Sequence, residues 1–322
     1  MTVLLEARNI TKVFSSEVFF KRTQTTALEN ISFSINANPP SIMAVAGESG
    51  SGKTTLAKIL LGFIAPTKGE VLYRGKNLQK MSRSEQLEFR REVQAIFQDP
   101  FEVYNPFYKI DHVFTTSVTK FHLARSKAEV RKLIKDVLEV IGLRPEETLG
   151  RYPHQLSGGQ RQRIMVARAL LLKPRIVLAD EPVSMIDASL RATILGSLRK
   201  LNQEFGISLL YITHDLAVAR YMCDRLGIMY LGKLVERGPT EDILQQPLHP
   251  YTKALLSAVP VPDPTLERES LPIKGGVSKP VDPAPRCRFY ERCPISDKQC
   301  ESAGHPPLEE RASEHFVACY KV

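Results

Sequence analysis

The chain has 322 residues, enough for roughly two domains at ~100–200 residues each. Hydrophobic residues make up 43% and charged residues 25%, ordinary globular usage that excludes collagen-like, low-complexity and broadly disordered chains. The net charge of +9 is dispersed, with no long basic block, so no nucleic-acid partner is expected from charge.

Four short apolar runs between turns read as strands in the first part of the chain: Val3–Ala7, Ile31–Ile35, Ile42–Ala46 and Glu70–Tyr73. Gly47-Glu48-Ser49-Gly50-Ser51-Gly52-Lys53-Thr54, followed by Thr55, matches G-x-x-x-x-G-K-[ST]. It follows the run Ile42–Ala46 and opens a helix expected from Lys53 to about Leu61. Glycines let such a backbone curl so that several N–H groups face one anion, and the helix N-terminus adds partial positive charge. Lys53 can reach β- and γ-phosphates, and the Thr54 hydroxyl can ligate Mg²⁺.

Residues 95–170 read as mostly helical. Ser126-Lys-Ala-Glu129 is a capping box, and Val130, Leu133, Ile134, Val137, Leu138 and Ile141 repeat at helical spacing. Leu156-Ser157-Gly158-Gly159-Gln160 precedes a helical pattern through Leu172 and forms a second candidate anion nest. The strand Ile176–Ala179 ends in Asp180-Glu181, a rigid place to hold charge against a metal. Asp180 fits a Mg²⁺-orienting acid and Glu181 a general base for an attacking water. A helix from about Ala188 to Phe205, a strand Ser208–Ile212, a helix from Leu216 and strands near Arg225–Tyr230 and Lys233–Glu236 follow. Such alternation predicts a mainly parallel α/β sheet. No run approaches the ~18 apolar residues of a membrane helix, and Met1–Arg8 lacks a signal-peptide core, so a cytoplasmic chain is expected.

Past Pro250 the texture changes. Pro260, Pro262, Pro264, Pro272, Pro280, Pro283 and Pro285 interrupt regular elements, and Cys287, Cys293, Cys300 and Cys319 crowd the last 36 residues. The expected organisation is a P-loop core over 1–94 and 171–245, a helical subdomain over 95–170, and a Pro-rich linker with a small Cys-rich extension over 246–322. The spacing C-x5-C-x6-C-x18-C leaves a [4Fe–4S] cluster, structural zinc and bare thiols open; disulfides are disfavoured in a reducing cytosol. Cys223 reads as a small buried hydrophobe.

The LSGGQ segment, with a phosphate loop upstream and a hydrophobic strand ending in Asp-Glu downstream, resembles the ATP-binding cassette (ABC) ATPases. The resemblance implies their nucleotide-binding fold, ATP and Mg²⁺ as ligands, and hydrolysis of ATP to ADP and phosphate. Gln98, in Ile96-Phe-Gln98-Asp-Pro100, looks like the Q-loop residue that ligates Mg²⁺ or the lytic water and links to membrane subunits. His214, in Tyr211-Ile-Thr-His214-Asp, resembles the switch histidine at the γ-phosphate. Phe14 resembles the aromatic that stacks on adenine. Ser184-Met185-Ile186-Asp187 departs from the family's usual Ser-Ala-Leu-Asp between matching ends, and Asn36–Pro40 departs from its charged Gly turn. The resemblance also implies head-to-tail cassette pairs, with ATP held between one chain's phosphate loop and the other chain's Ser157, Gly158, Gly159 and Gln160.

His249–Pro260 and Pro283–Cys319 look like the C-terminal extension of the ATPase subunits of oligopeptide, dipeptide and nickel importers. The Phe19-Phe20-Lys21-Arg22 insertion looks like the second ATPase subunit of dipeptide systems. That branch implies a second ATPase subunit in a heterodimer, two transmembrane permease subunits and an extracytoplasmic solute-binding protein. It places the chain at the cytoplasmic face of the membrane and implies a [4Fe–4S] cluster on the four tail cysteines. Oligosaccharide and nickel importers share such motors. A soluble nucleic-acid-linked cassette and a redox sensor built on the tail are the competing classes.

Overall fold

The computed structural model describes residues 2–18, 21–99, 103–184, 186–259, 273–276 and 281–322. The chain opens with β1 (Thr2–Val18), β2 (Lys21–Asn38), β3 (Ile42–Ala46), α1 (Lys53–Leu60), β4 (Lys68–Tyr73) and β5 (Lys76–Asn77). Then come α2 (Arg83–Glu92), β6 (Val93–Ile96), α3 (Asp111–Lys120), α4 (Lys127–Val140), α5 (Pro145–Thr148), α6 (Gly158–Leu171), β7 (Ile176–Asp180) and α7 (Ala188–Gln203). The last third holds β8 (Ser208–Thr213), α8 (Leu216–Met222), β9 (Arg225–Tyr230), β10 (Lys233–Pro239), α9 (Thr240–Gln245), α10 (Pro250–Ser257), α11 (Lys298–Ser302), β11 (Glu309–Ala312) and β12 (His315–Val317).

The chain divides into two compact bodies. The phosphate-loop body comprises residues 3–35, 42–80 and 211–322; the signature body comprises residues 36–41 and 81–210, together with Thr2. The division falls inside β8, whose six residues are all buried.

In the phosphate-loop body, one sheet runs β2-β1-β4-β5, with β1 and β4 antiparallel and Leu5 opposite Tyr73. The expected strands at Val3–Ala7 and Ile31–Ile35 are segments of two much longer ones. Their polar remainders carry no apolar run because an antiparallel sheet needs only one covered face. A second set of strands runs β11-β12-β10-β9-β3. Only β3 and β9 in it are parallel, with Met43 opposite Arg225 and Ala46 opposite Ile228. The expectation of a mainly parallel sheet is corrected here to a mixed one. The cause is local: β9 and β10 are joined by Leu231-Gly232 alone, both at positive φ (42° and 79°). A two-residue turn of that shape can join only antiparallel neighbours.

The chain after Pro250 does not stand apart from this body. β12 pairs antiparallel with β10, Glu236 lying opposite Val317. Of the proline stretch, Pro260, Pro262, Pro264, Pro272 and Pro280 lie outside the described residues, as do Phe19 and Phe20 of the insertion.

In the signature body, β6 and β7 pair in parallel from Val93–Ile176 to Ile96–Ala179. Helices α3, α4 and α7 pack on α6, whose Ile164, Met165, Val166 and Ala167 are fully buried. The capping box read at Ser126 forms: the Ser126 hydroxyl accepts from Glu129 N–H, and the Glu129 carboxylate accepts from Ser126 N–H. No described helix is long and apolar enough to cross a membrane.

Candidate nucleotide site

The phosphate loop leaves β3 and turns through Gly47 (φ 153°), Gly50 (φ 80°) and Gly52 (φ 104°) before α1 begins. Two of these glycines are required by space. A Cβ on Gly47 would lie 2.2 Å from the Met229 carbonyl oxygen, and one on Gly52 would lie 2.4 Å from that of Ala27. Around Gly50 nothing lies within 4 Å, so the loop is open there. Its start and end are fixed: Ser51 N–H donates to Glu48 O (3.2 Å), and Gly232 N–H donates to Ser51 O (2.9 Å).

Lys53 is buried and donates to Gly47 O (2.7 Å), Glu48 O (2.9 Å) and Ser51 Oγ (3.3 Å). The ammonium thus lies along the inside of the curl. Helix α1 has no side-chain cap at Gly52 and no acidic residue in its first turn. A helix start of this kind leaves N–H donors for an anion, so the loop fits a phosphate group. Thr54 lies exposed on the first turn of α1, and Thr55 follows it half-buried.

In the signature body, β7 is buried up to Asp180, and the chain then turns at Glu181 with φ 45°. A non-glycine residue held at positive φ costs on the order of 1 kcal/mol and is over-represented at functional sites. Ser184 N–H and Oγ both donate to Glu181 O, at 3.2 and 3.0 Å. The Gln98 amide donates from Nε2 to Glu181 Oε2 (3.2 Å), so the structure brings these two expected residues together. Helix α6 holds the segment before Gln98: Phe97 N–H points at Met165 Sδ (3.1 Å), and Gln162 Nε2 donates to Phe97 O (3.3 Å). Arg168, on the same helix, donates to Ala95 O (2.9 Å).

Ser157 is the N-cap of α6. Its hydroxyl accepts from Gln160 N–H (3.2 Å), and Gln160 Oε1 accepts from Ser157 N–H (2.9 Å). Gly158 has open space on its Cβ side, whereas Gly159 packs against Leu190. Asp187 precedes α7 without capping it through its side chain; Ile186 is buried and Met185 lies outside the described residues.

His214 is exposed on the turn between β8 and α8. Asp215 fixes that turn, its Oδ1 accepting from Ala217 N–H (2.9 Å) and Val218 N–H (3.2 Å). Phe14 on β1 is 44% exposed, a half-open ring available for stacking, with Lys12 Nζ 5.1 Å from its centroid.

Cys287, Cys293, Cys300 and Cys319 line one small cavity of about 10 Å³ together with His249, Phe289 and Tyr320. All four are free thiols. Burial pushes the Cys287 thiol up to about 11 and raises Cys293 and Cys319 as well. Among the described residues, no group of three or more His, Cys, Asp or Glu is placed to hold a metal ion. The structure brings all four expected cysteines to this one cavity. Cys223 is buried, as expected, its thiol pushed up to about 12 by desolvation. For Mg²⁺, the expected donors Thr54, Gln98 and Asp180 are all hard oxygen ligands, the class that this ion takes.

Two side chains outside any motif contact the loop. Tyr251, on α10, accepts Glu48 N–H at its hydroxyl (2.9 Å). Arg292 grips the Glu48 carboxylate with NH1 (2.8 Å) and NH2 (3.1 Å). Glu236, fully buried, accepts from Leu248 N–H (2.8 Å), His249 N–H (3.0 Å) and His315 Nε2 (2.7 Å), which ties β10 to the start of α10 and to β12. The only trace in the sequence is the His249-Pro250-Tyr251 segment itself.

Residues 28–184 match the ABC transporter family, and residues 235–300 match the oligopeptide/dipeptide transporter C-terminal region. The chain is 41% identical over 320 residues to a probable peptide ABC transporter ATP-binding protein, y4tS, of Sinorhizobium fredii, covering 98% of this chain and 89% of that protein. It is 39% identical over 327 residues to the oligopeptide transport ATP-binding protein OppF of Haemophilus influenzae, covering 99% and 97%. Identity to the Escherichia coli OppF is 42% over 282 residues, covering 87% and 84%. Among solved structures, a dimeric, post-hydrolysis form of the ATP-binding cassette MJ0796 bound to ADP and Pi aligns with TM-score 0.64 and 30% identity, covering 74% of this chain and 99% of that one.

Proposed function

The chain belongs to the family of peptide ABC transporter ATP-binding proteins, and on that premise we propose that it is the ATP-hydrolysing motor of an importer for oligopeptides or dipeptides. The observation that carries the reading is the phosphate loop: three positive-φ glycines, Lys53 inside the curl and an uncapped helix start together make an anion cradle. Lys53 and the loop N–H groups hold the phosphates, with Glu48, Ser49 and Ser51 shaping the curl. Thr54, Gln98 and Asp180 are the residues that would hold Mg²⁺, which when bound neutralises phosphate charge. Glu181 takes the proton of the attacking water, and Gln98 orients its carboxylate. His214 contacts the γ-phosphate, Phe14 stacks on adenine, and Asp187 lies at the edge of the site. Ser157, Gly158, Gly159 and Gln160 complete the site of a partner cassette.

The relatives' names support a peptide cargo delivered through membrane partners. The assembly we propose is a heterodimer with a second ATPase, two permease subunits and an extracytoplasmic binding protein, with this chain at the cytoplasmic face. The iron–sulfur reading rests on the resemblance of the tail to the importer branch and on the cavity shared by four cysteines. About four irons and four sulfides per chain after anaerobic purification would carry it, and their absence would remove it. The hydrolytic assignment is tested by Glu181→Gln. The variant should bind MgATP but turn it over at least about 100-fold more slowly. Turnover at the wild-type rate sinks the role of Glu181.

A further inference from the structure

Glu48, the second residue of the phosphate loop, carries a carboxylate into a loop that the ATP reading assigns to a polyphosphate. A free negative charge there would repel the phosphates. The structure shows what restrains it. Arg292 forms a two-pronged ion pair with it, and this guanidinium is only 9% exposed, so the pair is poorly screened. The Glu48 carboxylate holds the Arg292 pKa above its ordinary value. Arg292 also lies over Tyr230 and touches its hydroxyl (3.5 Å). Tyr230, Tyr251 and Phe289 pack as one aromatic cluster, with ring centroids 4.6–5.5 Å apart. The Tyr251 hydroxyl accepts the Glu48 N–H. The backbone and the side chain of one loop residue are therefore both held by chain that lies more than 200 residues downstream.

We propose that Arg292 and Tyr251 are positioning residues of the nucleotide site: Arg292 draws the Glu48 carboxylate away from the phosphates, and Tyr251 pins the loop in its open curl. The C-terminal extension is thereby a working part of the phosphate loop. The inference rests on the ATP reading above. A preorganised loop binds its ligand without an ordering cost, and a neutralised Glu48 removes a repulsive charge.

The test is equilibrium dialysis of radiolabelled MgATP against the full chain and four variants. Arg292→Gln should weaken binding about tenfold, because it frees the Glu48 charge. Glu48→Gln, which removes the charge and keeps the backbone N–H, should weaken binding less than Arg292→Gln does. The decisive variant is Glu48→Gln with Arg292→Gln, which should recover most of the loss. A merely structural role for Arg292 predicts the opposite, since the double variant would be no better than Arg292→Gln. Tyr251→Phe should weaken binding about threefold. Should Arg292→Gln fail to fold, Arg292→Lys replaces it, keeping charge without the fork, with a loss of about threefold expected. Folded Arg292 variants that bind MgATP as wild type does, or a double variant that shows no recovery, overturn the proposal. A wild-type chain that binds no MgATP overturns the ATP reading itself, a different outcome from either.

Discussion

The helix behind the phosphate loop starts without a side-chain cap, whereas the helix behind Ser157 starts with a complete one. At α1 the residue in the cap position is Gly52, and the nearby ammonium of Lys53 bonds to the loop's own carbonyls. At α6 the Ser157 and Gln160 side chains satisfy each other's backbone donors. Both segments are glycine-rich and both read as anion nests in the sequence. Their difference teaches that one is built to take an anion into its own curl, and the other is a self-satisfied surface that offers the open face of Gly158. Backbone crowding follows the same division, for Gly47 and Gly52 abut main-chain oxygens and Gly158 abuts nothing.

The largest effect that would break this comparison is at Gly47. Gly47→Ala places a Cβ 2.2 Å from the Met229 carbonyl oxygen, and should destabilise the chain by about 3 kcal/mol in urea unfolding. A loss below about 0.5 kcal/mol would mean the loop is not pinned against β9.

A second effect is read in the pH dependence of stability. Burial pushes His249, in the phosphate-loop body, down to about 3, against about 6.5 in an unfolded chain. Between these values the unfolded chain binds a proton that the folded chain does not. Stability therefore falls as pH drops below about 6.5, by up to about 1.4 kcal/mol per pH unit. His249→Asn keeps an acceptor for Tyr251 N–H and should flatten the slope between pH 6.5 and pH 5. An unchanged slope would show that His249 titrates normally.

Smaller effects probe the signature side. Ser157→Ala removes the cap and should cost about 1 kcal/mol, measured as a shift in urea midpoint. Gly158→Ala meets open space, and should change stability by less than about 0.5 kcal/mol. A cost equal to that of Gly47→Ala would erase the distinction between the two nests.

Much of this architecture was legible. The phosphate loop, the Ser126 cap, strand β7 and helix α6 are local features, written in spacing and capping residues that act within one turn. The full lengths of the antiparallel strands β1 and β2 were not, because more than half of their residues are polar and extend beyond the apolar runs. Nor was the antiparallel pairing of β9 with β10, which is set by the αL conformation of Leu231, a residue type that seldom adopts it. The contacts of Arg292 and Tyr251 with Glu48 were invisible, since pairing across more than 200 residues leaves no periodicity to read. The cysteines were conspicuous as a set, yet spacing alone could not say that they would line one cavity with His249 and Phe289.

The phosphates of the nucleotide are assigned to residues 47–54. The most direct measurement is equilibrium binding of MgATP to the full chain and to Lys53→Ala, with circular dichroism to show that both are folded. The wild type should bind saturably and the variant should lose at least about tenfold, the size expected for removing charged hydrogen bonds to phosphate. Equal affinities, or a folded wild type that binds no MgATP, would contradict the assignment.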